Sequence, residues 1–178
     1  MKMLVLPASQ VSCRVLTFKH GALSAMAHDL EIAVERFTLS IADDRSRIEA
    51  KFDPSSLRVL HAVADGRATS ALSDRDKRKI ERTIADDILD VARYPEIRFV
   101  SSRIEQRGAG YDVEGTLSLH GRDGRVAFVV AELDGAWRAE VRIDQPAFGI
   151  RPYSAMFGAL QVKPELCVVV AATLNAAR

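Results

Sequence analysis

The sequence predicts a mostly β protein: one domain spanning 1–178, built as a single antiparallel barrel of about eight strands with one amphipathic helix inserted at about 74–92. Three observations carry this. Apolar residues recur at every second position over most of the chain, the period of a half-buried strand. Asp-Gly pairs separate consecutive alternating runs, which marks tight hairpins. The period lengthens to that of a helix only once, so the strand–helix–strand rhythm of a parallel sheet is missing.

Taken in order, Arg14 to Lys19 and Leu30 to Ile41 read as strands flanking a stretch of Gly, Ala and Ser. Arg47 to Phe52 alternates Ile48, Ala50 and Phe52 with charged residues, and Asp53-Pro54 ends it because proline lacks the ladder donor. Ala62 to Leu72 is small and polar and reads as a loop. From Ser73 to Ala92, Ile80, Ile84, Ile88 and Val91 recur at helical spacing. Ser73 or Asp74 caps the start, and Tyr94-Pro95 ends the segment. The cations Arg75, Lys77, Arg78 and Lys79 precede the acids Asp86, Asp87 and Asp90, an order opposed to the helix dipole, so packing has to hold this helix.

Ile97 to Glu105 is the next strand. After the turn Gly108-Ala109-Gly110, Tyr111, Val113, Gly115, Leu117 and Leu119 share one face, opposite Asp112, Glu114, Thr116, Ser118 and His120. Arg122-Asp123-Gly124-Arg125 supplies a hairpin signal, and Val126 to Leu133 is apolar on both faces except at Glu132. Asp134-Gly135 leads into a run in which Trp137, Ala139, Val141 and Ile143 alternate with charged residues. Gly158 to Lys163 and Leu166 to Leu174, split by Pro164, close the chain. Curling and closing such a sheet removes its edges, and eight strands leave room for side chains or for one small ligand.

Composition narrows the function. With 25 basic and 24 acidic residues the net charge is +1, which lacks the basic surplus that phosphate contacts with nucleic acid require. Cys13 and Cys167, near opposite ends of the chain, read as two small thiols, with one bridge open if the sheet closes. The apolar run Leu166 to Ala172 is far short of the ~20 residues of a spanning helix, so stable membrane insertion is not expected. The N-terminal apolar stretch stops at Pro7, too early for a secretion signal, and the expected location is cytoplasmic.

Few constellations suggest chemistry. His28-Asp29 is a pair in which a carboxylate orients an imidazole for metal binding or proton transfer. The alternative is a histidine at a strand end beside an aspartate that holds a turn. No His-Glu-x-x-His, Cys-x-x-Cys, Gly-x-Ser-x-Gly or phosphate-binding glycine loop occurs, so no metal and no cofactor is expected. Phe148 to Gly158 combines aromatics, Met and Gly outside strand alternation. It reads either as a loop lining an apolar site or as a loop packed on the core. Within it, Arg151 is a candidate anchor for a ligand phosphate or carboxylate.

Tyr94-Pro95-Glu96-Ile97-Arg98-Phe99-Val100-Ser101 resembles a signature of the YceI-like family. Tyr111-Asp112-Val113-Glu114-Gly115-Thr116-Leu117-Ser118-Leu119-His120-Gly121 is similar to a second element of that family, Phe148-Gly149-Ile150 to a third, and Arg75-Asp76 to the start of its helical excursion. The excursion departs from the family pattern at Ala85 to Val91, and Ala147 stands where an acidic residue is usual. The resemblance implies a lipocalin-like barrel around an elongated apolar ligand; family members bind polyisoprenoids, including isoprenoid quinones, and many are exported.

The expected function is therefore non-catalytic binding or carriage of an isoprenoid, quinone or fatty-acid-like lipid. The alternatives are a filled barrel serving as an interaction module and an enzyme using His28, Asp29 or His120. The expected ligand-binding residues are Phe18, Leu30, Ile32, Phe99, Val113, Leu117, Leu119, Phe128, Trp137, Val141, Phe148, Arg151 and Phe157. The partner is then an apolar small molecule, and a homodimer through the apolar run Val126 to Ala131 remains open.

Overall fold

Antiparallel pairing between neighbouring runs dominates the computed structural model, which describes residues 2–7, 9–23 and 27–173. The strands are β1 (Met3–Leu6), β2 (Val11–Thr17), β3 (Lys19–His20), β4 (Asp29–Val34), β5 (Phe37–Ala42), β6 (Ile48–Phe52), β7 (Leu57–Ala64), β8 (Arg67–Thr69), β9 (Ile97–Arg107), β10 (Gly110–Leu119), β11 (Arg122–Leu133), β12 (Ala136–Asp144), β13 (Ser154–Ala155), β14 (Leu160–Val162) and β15 (Glu165–Ala172). Twelve form one sheet in the order β1-β5-β6-β9-β10-β11-β12-β15-β2-β4-β7-β8, and β13-β14-β3 form a second. The chain is mostly β and antiparallel, as its alternation predicts. The count of about eight strands is corrected to twelve in the main sheet, whose ladder does not close on itself.

The main departure is a bent hairpin. Leu30 to Ile41 is not one strand: it breaks at Glu35-Arg36, and β4 pairs with β7 while β5 pairs with β6. Residues 29–64 thus form one long hairpin folded over at a corner, with its two halves near opposite ends of the sheet order. The corner is tightly bonded. Glu35 N–H donates to the Ser56 carbonyl at 3.2 Å, and Asp53 N–H to the Arg36 carbonyl at 3.0 Å. Arg36 N–H donates to Ser56 Oγ at 2.9 Å, and the Arg36 Nε and Nη2 groups donate to Asp53 Oδ2 at 2.9 and 2.8 Å. Asp53-Pro54 begins a short 3-10 turn, Pro54–Ser56, so proline ends β6 as expected and starts the bend.

Ala62 to Leu72 is not a loop. It holds the end of β7 and all of β8, joined by Asp65-Gly66 at φ 50° and 72°. A register shift between Glu31 and Ile32 breaks the alternation of this strand pair and hides it in the sequence. The β10–β11 turn is His120-Gly121, both left-handed at φ 52° and 73°, while Asp123-Gly124 lies inside β11. Gly124 is needed there for another reason: a Cβ would sit 2.6 Å from Phe148 Cζ. Asp134-Gly135 does form the next turn. Of the final strands, β14 is shorter than expected, and Leu174 lies outside the described residues.

The helix α1 (Asp74–Thr83) carries a capping box in which Ser73 Oγ accepts from Asp76 N–H. Asp86 and Asp87 follow directly on its C-terminal end, the unfavourable order read from the sequence, while its own first turn holds Asp74 and Asp76 and its last Arg82, the favourable one. A π turn, Ile84–Ile88, follows, with Leu89 N–H donating to the Ile84 carbonyl at 2.9 Å. The wider turn brings Leu89 to the same side as Ile84 and Ile88. Glu81 fixes α1 to the sheet by accepting from Val59 N–H at 2.8 Å.

Candidate functional site

The inward faces of the sheet line a cavity of about 700 Å³ that is open to solvent on part of its boundary. Strand alternation builds its wall. Cys13 and Val15 come from β2, Leu30 and Ile32 from β4, Leu39 and Ile41 from β5, and Val168 and Val170 from β15. On β9 the inward set runs Ile97, Phe99 and then Ile104, because a bulge shifts the register where Gly115 faces Ser101 and Glu114 faces Arg103. Ile80 of α1, with Ile84, Ile88 and Leu89 beyond it, completes the apolar lining.

Nine of the thirteen residues singled out from sequence line this cavity: Leu30, Ile32, Phe99, Val113, Leu117, Leu119, Phe128, Trp137 and Val141. The other four do not. Phe148 is buried, but its ring packs over Gly124 in β11. Phe18 lies between β2 and β3, where its carbonyl accepts from Lys163 N–H at 2.8 Å. Phe157 is fully exposed, and Arg151 is exposed with no ion pair among the described residues. The loop 148–158 thus divides: Phe148 packs on the core, Ile150 and Tyr153 reach the cavity, and Met156 and Phe157 face outward. Sequence reasoning missed Cys13, Val15, Leu39 and the helical Ile80 and Ile84. Each sits on an apolar period that was legible, but neither which strand face turns inward nor that the helix faces the same space is written in a period.

Polar groups mark the two ends. At one, Arg45 in the β5–β6 turn donates from Nη1 to Tyr111 Oη, with its guanidinium 5.8 Å from the ring centre. Tyr111 in turn meets Trp137, centroids 5.8 Å apart at 50°. At the other, Lys19, His28, Tyr153 and Gln161 reach the lining, and α1 adds Asp76 and Lys79.

The three sequence signatures turn out to be interlocked packing. Tyr94 meets His120 with ring centroids 4.4 Å apart, and a Cβ on Gly121 would sit 2.6 Å from Tyr94 Cε1. Phe99 lies across Gly115, where a Cβ would come within 2.5 Å of its ring. Gly149, at φ 71°, has the Arg122 guanidinium against it.

His28-Asp29 does not form an oriented pair: Asp29 Oδ1 accepts from Lys19 N–H at 2.7 Å, tying β3 to β4. The shortest histidine–carboxylate contact is instead His61 Nε2 to Glu31 Oε2 at 2.8 Å. Among the described residues no cluster of three His, Cys, Asp or Glu is placed to hold a metal. The cysteines are free. Cys13 faces Val170 across the β2–β15 ladder and Cys167 faces Leu16. Three residues of strand, about 10 Å, exceed the Cα separation a disulfide spans. Burial pushes the Cys13 thiol up to about 12, against a smaller pull from Arg14, so it lines the cavity as a neutral group.

A YceI-like domain model matches residues 8–174. The fold is similar to that of BcnA from Burkholderia cenocepacia, at 17% identity and a TM-score of 0.63, over 93% of this chain and 97% of that one. It is also similar to a polyisoprenoid binding domain from Saccharophagus degradans, at 12% identity and a TM-score of 0.55, over 97% and 98% of the two chains. No curated protein sequence matches the chain.

Proposed function

The chain belongs to the YceI-like family, and on that premise we propose that it binds and carries an elongated apolar ligand, an isoprenoid, quinone or fatty-acid-like lipid, without altering it chemically. The observation that carries this reading is the cavity of about 700 Å³ with an almost wholly apolar wall. A filled barrel serving only as a module would pack its inward side chains against one another, and the space between them speaks against it. The named binding activity of the Saccharophagus degradans relative agrees with the same reading. Each buried methylene contributes about 0.8 kcal/mol, so a few isoprene units supply several kcal/mol with no polar contact. In this reading the bent hairpin joins the ends of the sheet so that it works as a barrel, and the polar ends of the cavity orient a ligand's head group.

The test is Phe128→Arg. Phe128 lines the cavity, whereas Val129 beside it is exposed on the outer face. The expected result is loss of uptake of a fluorescent fatty acid or an isoprenoid quinone by Phe128→Arg, with circular dichroism unchanged and with Val129→Arg binding normally. Equal uptake by both variants would place the ligand elsewhere.

A further inference from the structure

We propose that the small sheet of β13, β14 and β3 is a docking surface for an anionic lipid bilayer. The end of the cavity marked by Lys19, Tyr153 and Gln161 would then face the membrane from which a ligand is drawn. Seven large hydrophobic side chains are exposed in the described structure, and three of them, Tyr153, Met156 and Phe157, fall within five residues of this sheet's outer loop. Phe157 is wholly exposed at 111%. Met156 and Phe157 are held in the left-handed backbone region, at φ 53° and 57°, which residues with a Cβ adopt only at a cost. The loop therefore presents its apolar side chains outward although its backbone conformation is unfavourable.

Charge identifies the occupant. From Gln145 to Pro164 the chain carries Arg151 and Lys163 and no Asp or Glu; from Val11 to His28 it carries Arg14 and Lys19 and again none. Lys19, Arg151 and Lys163 form no ion pair among the described residues. On the outer face of β9 to β12 the pattern differs, with Arg103 and Arg125 meeting Glu114 and Arg138 meeting Glu140. α1 also carries cations outside the ion pairs of the described residues, Arg75, Lys77, Arg78, Lys79 and Arg82, but no exposed large hydrophobic side chain stands beside them; only the small sheet joins unpaired cations to an apolar tip among the described residues. Aromatic and apolar side chains ringed by unpaired cations suit the interface of an anionic membrane, where the rings enter the headgroup level and the cations meet phosphates. A protein partner would need matching acidic and shape features; a bilayer needs only these two. The surface is continuous with the cavity, because Lys19, Tyr153, Leu160, Gln161 and Val162 also line it.

The docking itself is independent of cargo, and only its use in loading rests on the proposed function, so the two are measured separately. Wild-type protein is sedimented with vesicles of equal parts phosphatidylcholine and phosphatidylglycerol, and with phosphatidylcholine alone. The expected result is binding to the anionic vesicles, release at ~1 M salt, where the screening length falls to ~3 Å, and little binding to the neutral ones. The double variant Met156→Ser with Phe157→Ser should lose binding. Arg151→Gln with Lys163→Gln should weaken it about 25-fold, at roughly fivefold per cation. Leu133→Ser, which removes an exposed apolar side chain in the β11–β12 turn region, should bind as wild type. Uptake of a detergent-dispersed fluorescent fatty acid should be unchanged in Met156→Ser with Phe157→Ser. Failure to bind anionic vesicles, or equal loss in Leu133→Ser, would overturn the proposal. So would self-association that depends on Phe157 without vesicle binding, which would assign the tip to a protein contact.

Discussion

Gly115→Ala offers a direct measure of how tightly the signature residues interlock. A methyl built on Gly115 would stand 2.5 Å from Phe99 Cε2, 2.6 Å from Phe99 Cζ and 2.5 Å from the Val100 carbonyl oxygen. The ring has somewhere to go, since Phe99 borders the cavity. The carbonyl does not, being backbone of the β9 strand that pairs with β10. Overpacking of this kind costs about 1–3 kcal/mol, and for a domain of this size the thermal midpoint should fall by roughly 2–12 °C. Phe99→Leu removes the ring atoms in the way but leaves the carbonyl. Combined with Gly115→Ala it should therefore recover part of the loss, with a coupling of at least about 0.5 kcal/mol in a double-mutant cycle. Thermal and urea unfolding of the four proteins supplies the numbers. A neutral Gly115→Ala, or strictly additive effects, would refute the argument that Gly115 is there to admit the Phe99 ring.

Other expectations follow from local geometry. Ser73→Ala removes the capping acceptor of α1 and should cost about 1 kcal/mol, seen as a lower urea midpoint and faster amide exchange in the first turn. At mildly alkaline pH a maleimide should label Cys167 well before Cys13, whose thiol burial holds at about 12; as pH rises from 9 the unfolded thiol ionises while the folded one does not, so Cys13→Ala should flatten the loss of stability in that range. The Asp53 carboxyl is held below its ordinary value of 3.8 by the Ser55 hydroxyl, with partial burial opposing and Arg36 assisting. Its contribution is present above that value and lost as pH falls through the lower folded one, so Asp53→Asn should weaken the protein at neutral pH and flatten its acid limb below about pH 4.

Much of this was legible because strands of a one-sided sheet write their burial in a period of two. Tyr111 to Leu119 and Trp137 to Ile143 show it without interruption, and their inward residues line the cavity. Legibility failed where the ladder is irregular. The bulge between Glu31 and Ile32 scrambled β7, and the corner at Glu35-Arg36 turned one apparent strand into two. Asp123-Gly124 misled because a glycine required by an overlying ring looks the same in sequence as one required by a turn, as at Gly121. Phe157 misled for the opposite reason: an aromatic in a loop reads as lining or core, and nothing local announces that its backbone turns the ring outward.

The central claim is that the space inside the sheet is a ligand site. It is tested most directly by native mass spectrometry of gently purified protein, followed by solvent extraction and lipid analysis. The account predicts a stoichiometric apolar adduct that extraction removes and that Phe128→Arg lacks. A clean ligand-free mass, with no uptake of added isoprenoid or fatty acid, would contradict it.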